Sequence, residues 1–268
     1  MSKFISLILS LSIVSFGINN QGTVNKESSG GNTQLGLKQI IEACATAFKE
    51  KIDSSYREKV CISLEDGSEK YTLIVGPNKQ ITVYEGNDST ASIYYKAKAD
   101  LYNKFYYGEM APATAVVQAR SSDPIPLNYS FGKHVSFNAD FLNRFLFFTQ
   151  HFFNRDIHDK LILREESSRL VHGGYGIPIF YQKDNEIGVR SAWYQINKGQ
   201  CVNEGGNSNP FPQYIIIIGG TAKAIIGSDT LVIRKGEAYF IAPNQRHTFW
   251  NVNEEPCQAI WIAWGKGA

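Results

Sequence analysis

The sequence has little net charge, because its 268 residues include 27 lysines and arginines against 25 aspartates and glutamates. It has no basic block interleaved with aromatic residues, so a nucleic-acid partner is not expected. It also has no GxSxG, Walker or Rossmann signature, which removes the usual motif-based grounds for assigning an enzyme class. A hydrophobic fraction of 43% is nevertheless enough to build real cores. We therefore expect a globular protein of one large or two ordinary domains.

Cysteine is scarce and scattered. The four cysteines form no CxxC pair and no Cys/His cluster, so a structural zinc site is not expected. Two lie in each half of the chain, which permits one disulfide per half in an oxidising compartment, and buried free thiols fit the spacing equally well. The sequence leaves both alternatives open for Cys44, Cys61, Cys201 and Cys257.

The chain has one long apolar run, which extends from Phe4 to Ile18 after Lys3. It is shorter than the roughly 20 residues that a membrane-spanning helix needs. We predict a signal peptide over residues 1–20, with an uncleaved anchor as the alternative, and a flexible linker over the polar residues 21–34. Both alternatives predict an extracytoplasmic protein that is secreted, periplasmic or tethered to a membrane.

Hydrophobic periodicity then predicts an α+β arrangement. Apolar residues recur at helical spacing from Leu35 to Ile52. Alternating apolar and polar residues, separated by turn-forming segments, predict four strands at Val60–Leu64, Tyr71–Val75, Ile81–Tyr84 and Ala91–Tyr95. Helical spacing returns at Asp100–Gly108, and a second short helix is expected to begin near Pro112.

Residues 35–155 resemble the sterol carrier protein type 2 family. Four residues match that family's G-x-M-x-P-x-x-A segment, and Ala99-Asp100-Leu101 matches the entry to the helix before it; the four are Gly108, Met110, Pro112 and Ala115. The chain departs from the pattern at Ala119-Arg120, where the family has Gly-Lys, and at Asp123-Pro124-Ile125-Pro126. The resemblance implies an α/β domain whose sheet and helices enclose an apolar tunnel for a lipid or another hydrophobic molecule.

An aromatic helix is predicted from Asn138 to Asn154, and it is apolar over more of its circumference than packing on one sheet face requires. This surplus can line the tunnel or seal against the neighbouring domain. The candidate lipid-binding residues are Leu101, Phe105, Met110, Phe141, Phe145 and Phe148.

The second half has only strand patterns. Residues 156–172 are charged and are predicted to connect the two domains. Short β-branched or apolar runs separated by tight turns then predict an all-β sandwich, jelly roll or barrel over residues 173–268.

This second domain resembles the cupin family. Gly236, Ala242, Asn244, His247 and Asn251 stand where the family's second motif has Gly, Pro, Gly, His and Asn. Metal-binding members add two histidines and a glutamate from a first motif, a ligand set suited to divalent transition metals. In this chain the glutamate position holds Gln213, and the histidine positions fall on Asn207 and Asn209, or on Gly206 and Ser208 with the longer spacing.

The sequence therefore favours a non-enzymatic protein in which the first domain binds or transfers a hydrophobic molecule and the barrel is an accessory ligand-binding or interaction module. No cofactor and no catalytic residue are expected, and the candidate barrel pocket is Gln213, Tyr239 and His247. The alternative is a cupin enzyme acting on a small polar or carbohydrate-like substrate, with or without a weakly held divalent metal at His247. A homodimer through the barrel strands is a further expectation. No site role is expected for His134, His151, His158 and His172.

Overall fold

A computed structural model describes residues 33–116, 125–182 and 187–268. The predicted signal segment, most of the predicted linker and the departures at Ala119-Arg120 and Asp123-Pro124 lie outside the described residues. Within the described part of the chain, no helix combines the length and the apolar composition needed to cross a membrane.

The first domain has its α-helices and its first four strands in nearly the positions that the sequence predicts, and a fifth strand that was not predicted. Its three α-helices are α1 (Leu37–Lys51), α2 (Ala99–Tyr106) and α3 (Ala139–Phe152). Its strands are β1 (Glu58–Leu64), β2 (Lys70–Val75), β3 (Ile81–Glu85), β4 (Ile93–Ala97) and β5 (Asn128–Phe131). Short 3-10 helices lie at Pro77–Lys79 and Pro112–Val116.

These strands form one sheet in the order β3-β2-β1-β4-β5. β1 pairs with β4 in parallel, and the other pairs are antiparallel. The helices bury their apolar stripes against the sheet, as the amphipathic spacing of α1 requires. The resulting core is largely aromatic, with Phe48, Tyr95, Phe148, Phe152 and Phe153 at most 1% exposed. Aromatic burial of this extent is a large favourable term in folding.

The second domain is built from strands. These are β6 (Arg169–Val171), β7 (Gly174–Gln182), β8 (Gly188–Ile196), β9 (Cys201–Val202), β10 (Gln213–Gly219), β11 (Thr221–Ile226), β12 (Asp229–Arg234), β13 (Ala238–Ile241), β14 (His247–Trp250) and β15 (Cys257–Gly265). A 3-10 helix at Glu165–Ser167 precedes them. The first of these strands lies inside the predicted connector.

Two sheets face each other in this domain. One has the order β13-β10-β15-β8-β7-β6 and the other the order β12-β11-β14-β9. Alternation along β10 turns Gln213, Ile215 and Ile217 inward and leaves Tyr214 and Ile218 exposed. Gly220 makes the tight turn between β10 and β11 at φ +65°, where a Cβ atom would meet the Pro256 carbonyl oxygen at 2.2 Å. The protein is therefore a mixed α+β chain with a cupin-like β-sandwich in its C-terminal region.

The two domains share an apolar contact. Ala111, from the loop that follows α2, clusters with Ile177 on β7 and Trp193 on β8. Helix α3 also packs beside β7. The surplus apolar surface of α3 is thus covered partly by the first domain's own sheet and partly by the second domain.

All four cysteines are free thiols, and three of them are buried. Burial raises the pKa of the Cys44 thiol to about 12 and that of Cys257 to about 11. Such thiols stay protonated and behave as small apolar groups. Of the two alternatives that the spacing left open, the structure has the free thiols.

Candidate functional site

A cavity of about 1030 Å³ runs from the interior of the barrel to the surface of α3. Its volume lies at the upper end of the range for small-molecule sites, roughly 300–1,000 Å³. Most of the barrel side chains that line it are apolar, and they include Ile196, Ile215, Ile217, Ile233, Ile241 and Phe249. The part next to the first domain is lined by α3 residues, including Leu142, Phe145 and Phe147. A molecule in this cavity would touch both domains.

Gln213 is the centre of a polar network in the cavity wall and is 0% exposed. Its side-chain oxygen accepts hydrogen bonds from Trp261 Nε1 at 2.6 Å and from Asn209 Nδ2 at 3.2 Å. Its amide nitrogen lies 3.5 Å from His247 Nε2. The network therefore joins β10, β14, β15 and the loop before β10.

The network determines which ring nitrogen of His247 carries the proton. An indole N–H can only donate, so the Gln213 oxygen must face Trp261 and its amide group must face His247. His247 Nε2 is then the acceptor, and Nδ1 carries the proton that it donates to the Gln245 carbonyl oxygen at 3.0 Å. Burial lowers the pKa of His247, although the hydrogen bond to Gln245 acts in the opposite direction. His247 is thus a neutral, hydrogen-bonded imidazole.

These residues do not fit the metal site that the family resemblance implies. Asn207 and Asn209 stand at the histidine positions and line the cavity with Gln213 and His247. The lone pairs of the Gln213 oxygen already receive two N–H groups, and the His247 lone pair faces an amide group. Neutral amides bind divalent transition metals far more weakly than imidazole or carboxylate. Across residues 33–116, 125–182 and 187–268, His, Cys, Asp and Glu side chains nowhere gather in threes or more in a metal-binding arrangement.

The candidate lipid-binding residues lie in the core of the first domain. Leu101, Phe105, Phe141, Phe145 and Phe148 are each at most 8% exposed, and Met110 packs against the same cluster. Of these six residues, Phe145 lines the cavity and the other five do not.

The rings of these residues pack on neighbouring side chains. Phe105 lies 5.6 Å from Phe153, and Phe148 stacks on Phe152 at 4.5 Å, between ring centroids. The tunnel that the sterol carrier resemblance implies is not shown in the described residues, and the resemblance itself stays a prediction.

Of the three predicted barrel residues, the structure brings Gln213 and His247 together but places Tyr239 elsewhere. Tyr239 packs on the edge of the barrel core without lining the cavity. Its hydroxyl donates to the Glu237 carboxylate. Burial and this carboxylate raise the pKa of Tyr239 to about 12.

Among the cavity residues that were not predicted, four carry polar groups or large aromatic rings: His172, Arg190, Tyr194 and Trp261. Alternation along β8 is the signal that could have identified two of them. Arg190, Ala192, Tyr194 and Ile196 are alternate residues and all line the cavity, whereas of the residues between them only Ser191 does so and Trp193 faces the first domain. His172 was expected to have no site role, but it lines the cavity, and burial, followed by the charge of Arg190, lowers its pKa.

Comparisons with known proteins identify the barrel. Residues 193–263 match the family model described as Cupin domain. Among solved structures, a Cupin 2 conserved barrel domain protein from Salinispora arenicola CNS-205 is similar at 17% identity and TM-score 0.34, over 39% of this chain and 86% of that chain. The plu4264 protein from Photorhabdus luminescens is similar at 18% identity and TM-score 0.33, over 39% and 85%.

A third similar structure is that of TT1209 from Thermus thermophilus, at 14% identity and TM-score 0.30, over 40% of this chain and 92% of that chain. No curated protein sequence matches the chain. The family match covers the strands that carry Gln213, His247 and Trp261. A cupin domain is therefore present at residues 193–263.

Proposed function

We propose that this protein binds a largely apolar small molecule, such as a lipid, in the barrel cavity and catalyses no reaction on it. The observation that carries the proposal is the cavity of about 1030 Å³, whose barrel walls are mostly apolar and include five isoleucines. Burial of apolar ligand surface there supplies the main driving force for binding. The cupin domain is consistent with such a ligand-binding module.

The sequence predicts a hydrophobic ligand in the first domain, whereas the site proposed here lies in the barrel. In the first domain the predicted wall residues are buried and pack against neighbouring apolar side chains, which leaves little space for a ligand. The first domain contributes the α3 face instead, with Leu142, Phe145 and Phe147 at the end of the cavity. A ligand held between the domains would bind both and would oppose their separation.

The test is extraction of the purified full-length protein with organic solvent, followed by mass spectrometry and by titration with a fluorescent fatty acid. We expect a co-purifying hydrophobic molecule or saturable uptake of the probe. Ala192→Phe places a ring into the cavity from β8 and should abolish uptake. Its matched control is Ala238→Phe on the exposed side of β13, which should leave uptake unchanged. Absence of both a co-purifying molecule and uptake would disprove the proposal.

The alternative function is an enzyme acting on a small polar or carbohydrate-like substrate, with His247 as a ligand of a weakly held divalent metal or as an acid or base. His247 lines the cavity, as His151 and His172 do, and it alone among them occupies the histidine position of the cupin motif. Its Nε2 atom, however, is turned toward Gln213. Elemental analysis of protein prepared without chelator separates the two functions, because a stoichiometric metal that disappears in His247→Ala would favour the enzyme.

The homodimer expected from the barrel strands stays a proposal, and it has one supporting feature. Tyr214, Phe240 and Trp264 form an outward-facing aromatic cluster on β10, β13 and β15, with ring centroids 5.4 to 6.3 Å apart. Tyr214 is 39% and Phe240 48% exposed. Sedimentation equilibrium of the wild type and of Phe240→Lys would test whether this face pairs two copies.

A further inference from the structure

Arg190 differs from the other cations that line the cavity because it has no carboxylate partner among the described residues. Lys51 Nζ lies 2.6 Å from Asp159 Oδ1, and Arg144 Nε lies 3.2 Å from Glu58 Oε2. Within the described part of the chain, no ion pair includes Arg190. Its Nε atom is buried and has no hydrogen-bond partner among the described residues.

The guanidinium of Arg190 is held by aromatic rings. Its Cζ atom lies 4.6 Å from the ring centroid of Phe211, 5.4 Å from that of Trp261 and 5.9 Å from that of Tyr181. Cation–π contacts of this kind stabilise and orient the charge, but they satisfy none of its N–H groups. The group is therefore positioned while its hydrogen-bonding capacity remains unused at Nε.

The titratable groups around Arg190 that belong to the described residues do not neutralise its charge. Burial raises the pKa of Tyr194 to about 12, so its hydroxyl stays protonated. The lowered pKa of His172 favours its neutral form. Asp53 is the one carboxylate in the lining formed by the described residues, and its oxygen already accepts from the Ser55 hydroxyl and from backbone N–H groups of Ser55 and Tyr56.

The position of Arg190 places its charge within the ligand cavity. Arg190 on β8 and Gln213 on β10 both lie opposite Ala263 of the intervening strand β15. Strands in a sheet are separated by about 4.8 Å, so the two backbones are about 10 Å apart across that wall. The isoleucine-lined part of the barrel lies beside both, so one ligand of modest size can contact a cation and an apolar surface together.

We propose that Arg190 recognises the carboxylate of an apolar carboxylic acid bound in the cavity. A planar guanidinium matches a carboxylate through two parallel hydrogen bonds. The aliphatic barrel walls would hold the hydrocarbon part of the same molecule. This inference rests on the proposed function and adds the charge of the ligand's polar end.

The test compares decanoate with 1-decanol by isothermal titration calorimetry on the full-length protein. Decanoate should bind the wild type more tightly than 1-decanol does. Arg190→Gln should weaken decanoate binding by about 10- to 100-fold, as expected for a charge-assisted hydrogen bond, and should leave 1-decanol binding unchanged. Arg190→Lys should bind decanoate more tightly than Arg190→Gln does, because lysine keeps the positive charge. It should bind less tightly than the wild type, because an ammonium group cannot form the two parallel hydrogen bonds. The matched control Arg234→Gln, on an exposed residue of β12, should have no effect.

The outcomes separate this inference from the proposed function. Equal binding of both probes, unaffected by Arg190→Gln, would overturn the role of Arg190 and leave hydrophobic ligand binding in place. Failure of both probes to bind the wild type would overturn both. A similar loss for both probes in Arg190→Gln would identify a structural role, and a near-ultraviolet circular dichroism spectrum of the variant would confirm it.

Discussion

The interiors of the two domains differ in how completely their side chains fill them. In the first domain, aromatic residues of α3 and α1 pack ring against ring on the sheet, as with Phe48 and Phe148 at 5.4 Å between centroids. In the barrel, some inward residues are as small as Ala192 and Ala259, and a cavity of about 1030 Å³ extends from the barrel interior to α3. The content of apolar residues in a segment therefore does not indicate where a ligand site lies in this protein.

The physical reason is that the packed layers of the two domains differ in how closely they can approach each other. A helix can approach a sheet until their side chains reach the packing density of protein interiors. The two sheets of the barrel have their strands fixed by backbone ladders, so small side chains that line the cavity, such as Ala192 and Ala259, leave space that the backbone cannot close.

The largest expected effect tests this contrast with two isoleucines of equal burial. Ile62 on β1 is 0% exposed and Ile233 on β12 is 1% exposed, but Ile233 lines the cavity. Ile62→Ala should lower the free energy of unfolding by about 4 kcal/mol and Ile233→Ala by about 2 kcal/mol, within the range for such truncations. A side chain that already faces empty space loses fewer contacts when it is shortened.

Urea denaturation of the full-length protein measures both losses. Leu170→Ala, on a side chain that is 56% exposed, is the control and should change the free energy of unfolding by less than about 0.5 kcal/mol. Equal losses for the two isoleucines would contradict the contrast between a filled and an unfilled interior.

A smaller effect is expected from Gln213→Glu, which tests the polar network in the wall of the barrel cavity. One carboxylate oxygen would accept from Trp261 and Asn209, and the other would face His247 Nε2. Because a nearby negative charge favours the protonated imidazole, the pKa of His247 should rise. Titration followed by NMR of the His247 ring measures the change. A pKa of His247 that stays below its ordinary value would show that the side chains rearrange. Gln245→Glu, which leaves the cavity wall intact, is the comparison variant.

The smallest effect concerns the pH dependence of stability, which should arise in the barrel and not in the aromatic core. The pKa of His247 is lowered in the folded protein from an ordinary value of 6.5, and that of His172 is lowered as well. The unfolded chain therefore binds protons more readily, so stability should be lost as the pH falls through 6.5 and should level off below the folded pKa values.

Urea midpoints measured between pH 8 and pH 5 follow this loss. The double variant His172→Gln/His247→Gln should have a flatter profile than the wild type, although its stability at pH 8 is lower. An unchanged profile in this variant would assign the pH dependence to other groups.

Several features of the fold could be predicted from local patterns. The spacing of Leu37, Ile40, Ile41 and Cys44 predicts α1 within two residues of its observed ends, because a helix of this length is defined by its apolar stripe. The turn residues around β10 to β14 predict the barrel strands, and the family match confirms the domain. The pairing of Gln213 with His247 also follows from the motif positions.

Other features could not be predicted locally. The motif does not specify the sheet geometry that separates Tyr239 from Gln213. In the sequence, Arg190 has no feature that distinguishes it from any other charged residue in a strand. Whether a strand residue points into a barrel depends on the register of its partners, and a shift of one residue reverses it. The side chains that contact α3 also depend on how the two domains meet.

The sequence by itself determined the order of helices and strands and the chemical identity of the cavity groups, including an amide at Gln213 where a carboxylate would bind metal. These are local or positional properties of the chain. Only the tertiary structure decided that the aromatic core of the first domain is filled and that the open space lies in the barrel beside Arg190 and extends to α3. That outcome depends on how closely the layers can approach, which backbone hydrogen bonding fixes in the barrel and side-chain packing sets in the first domain.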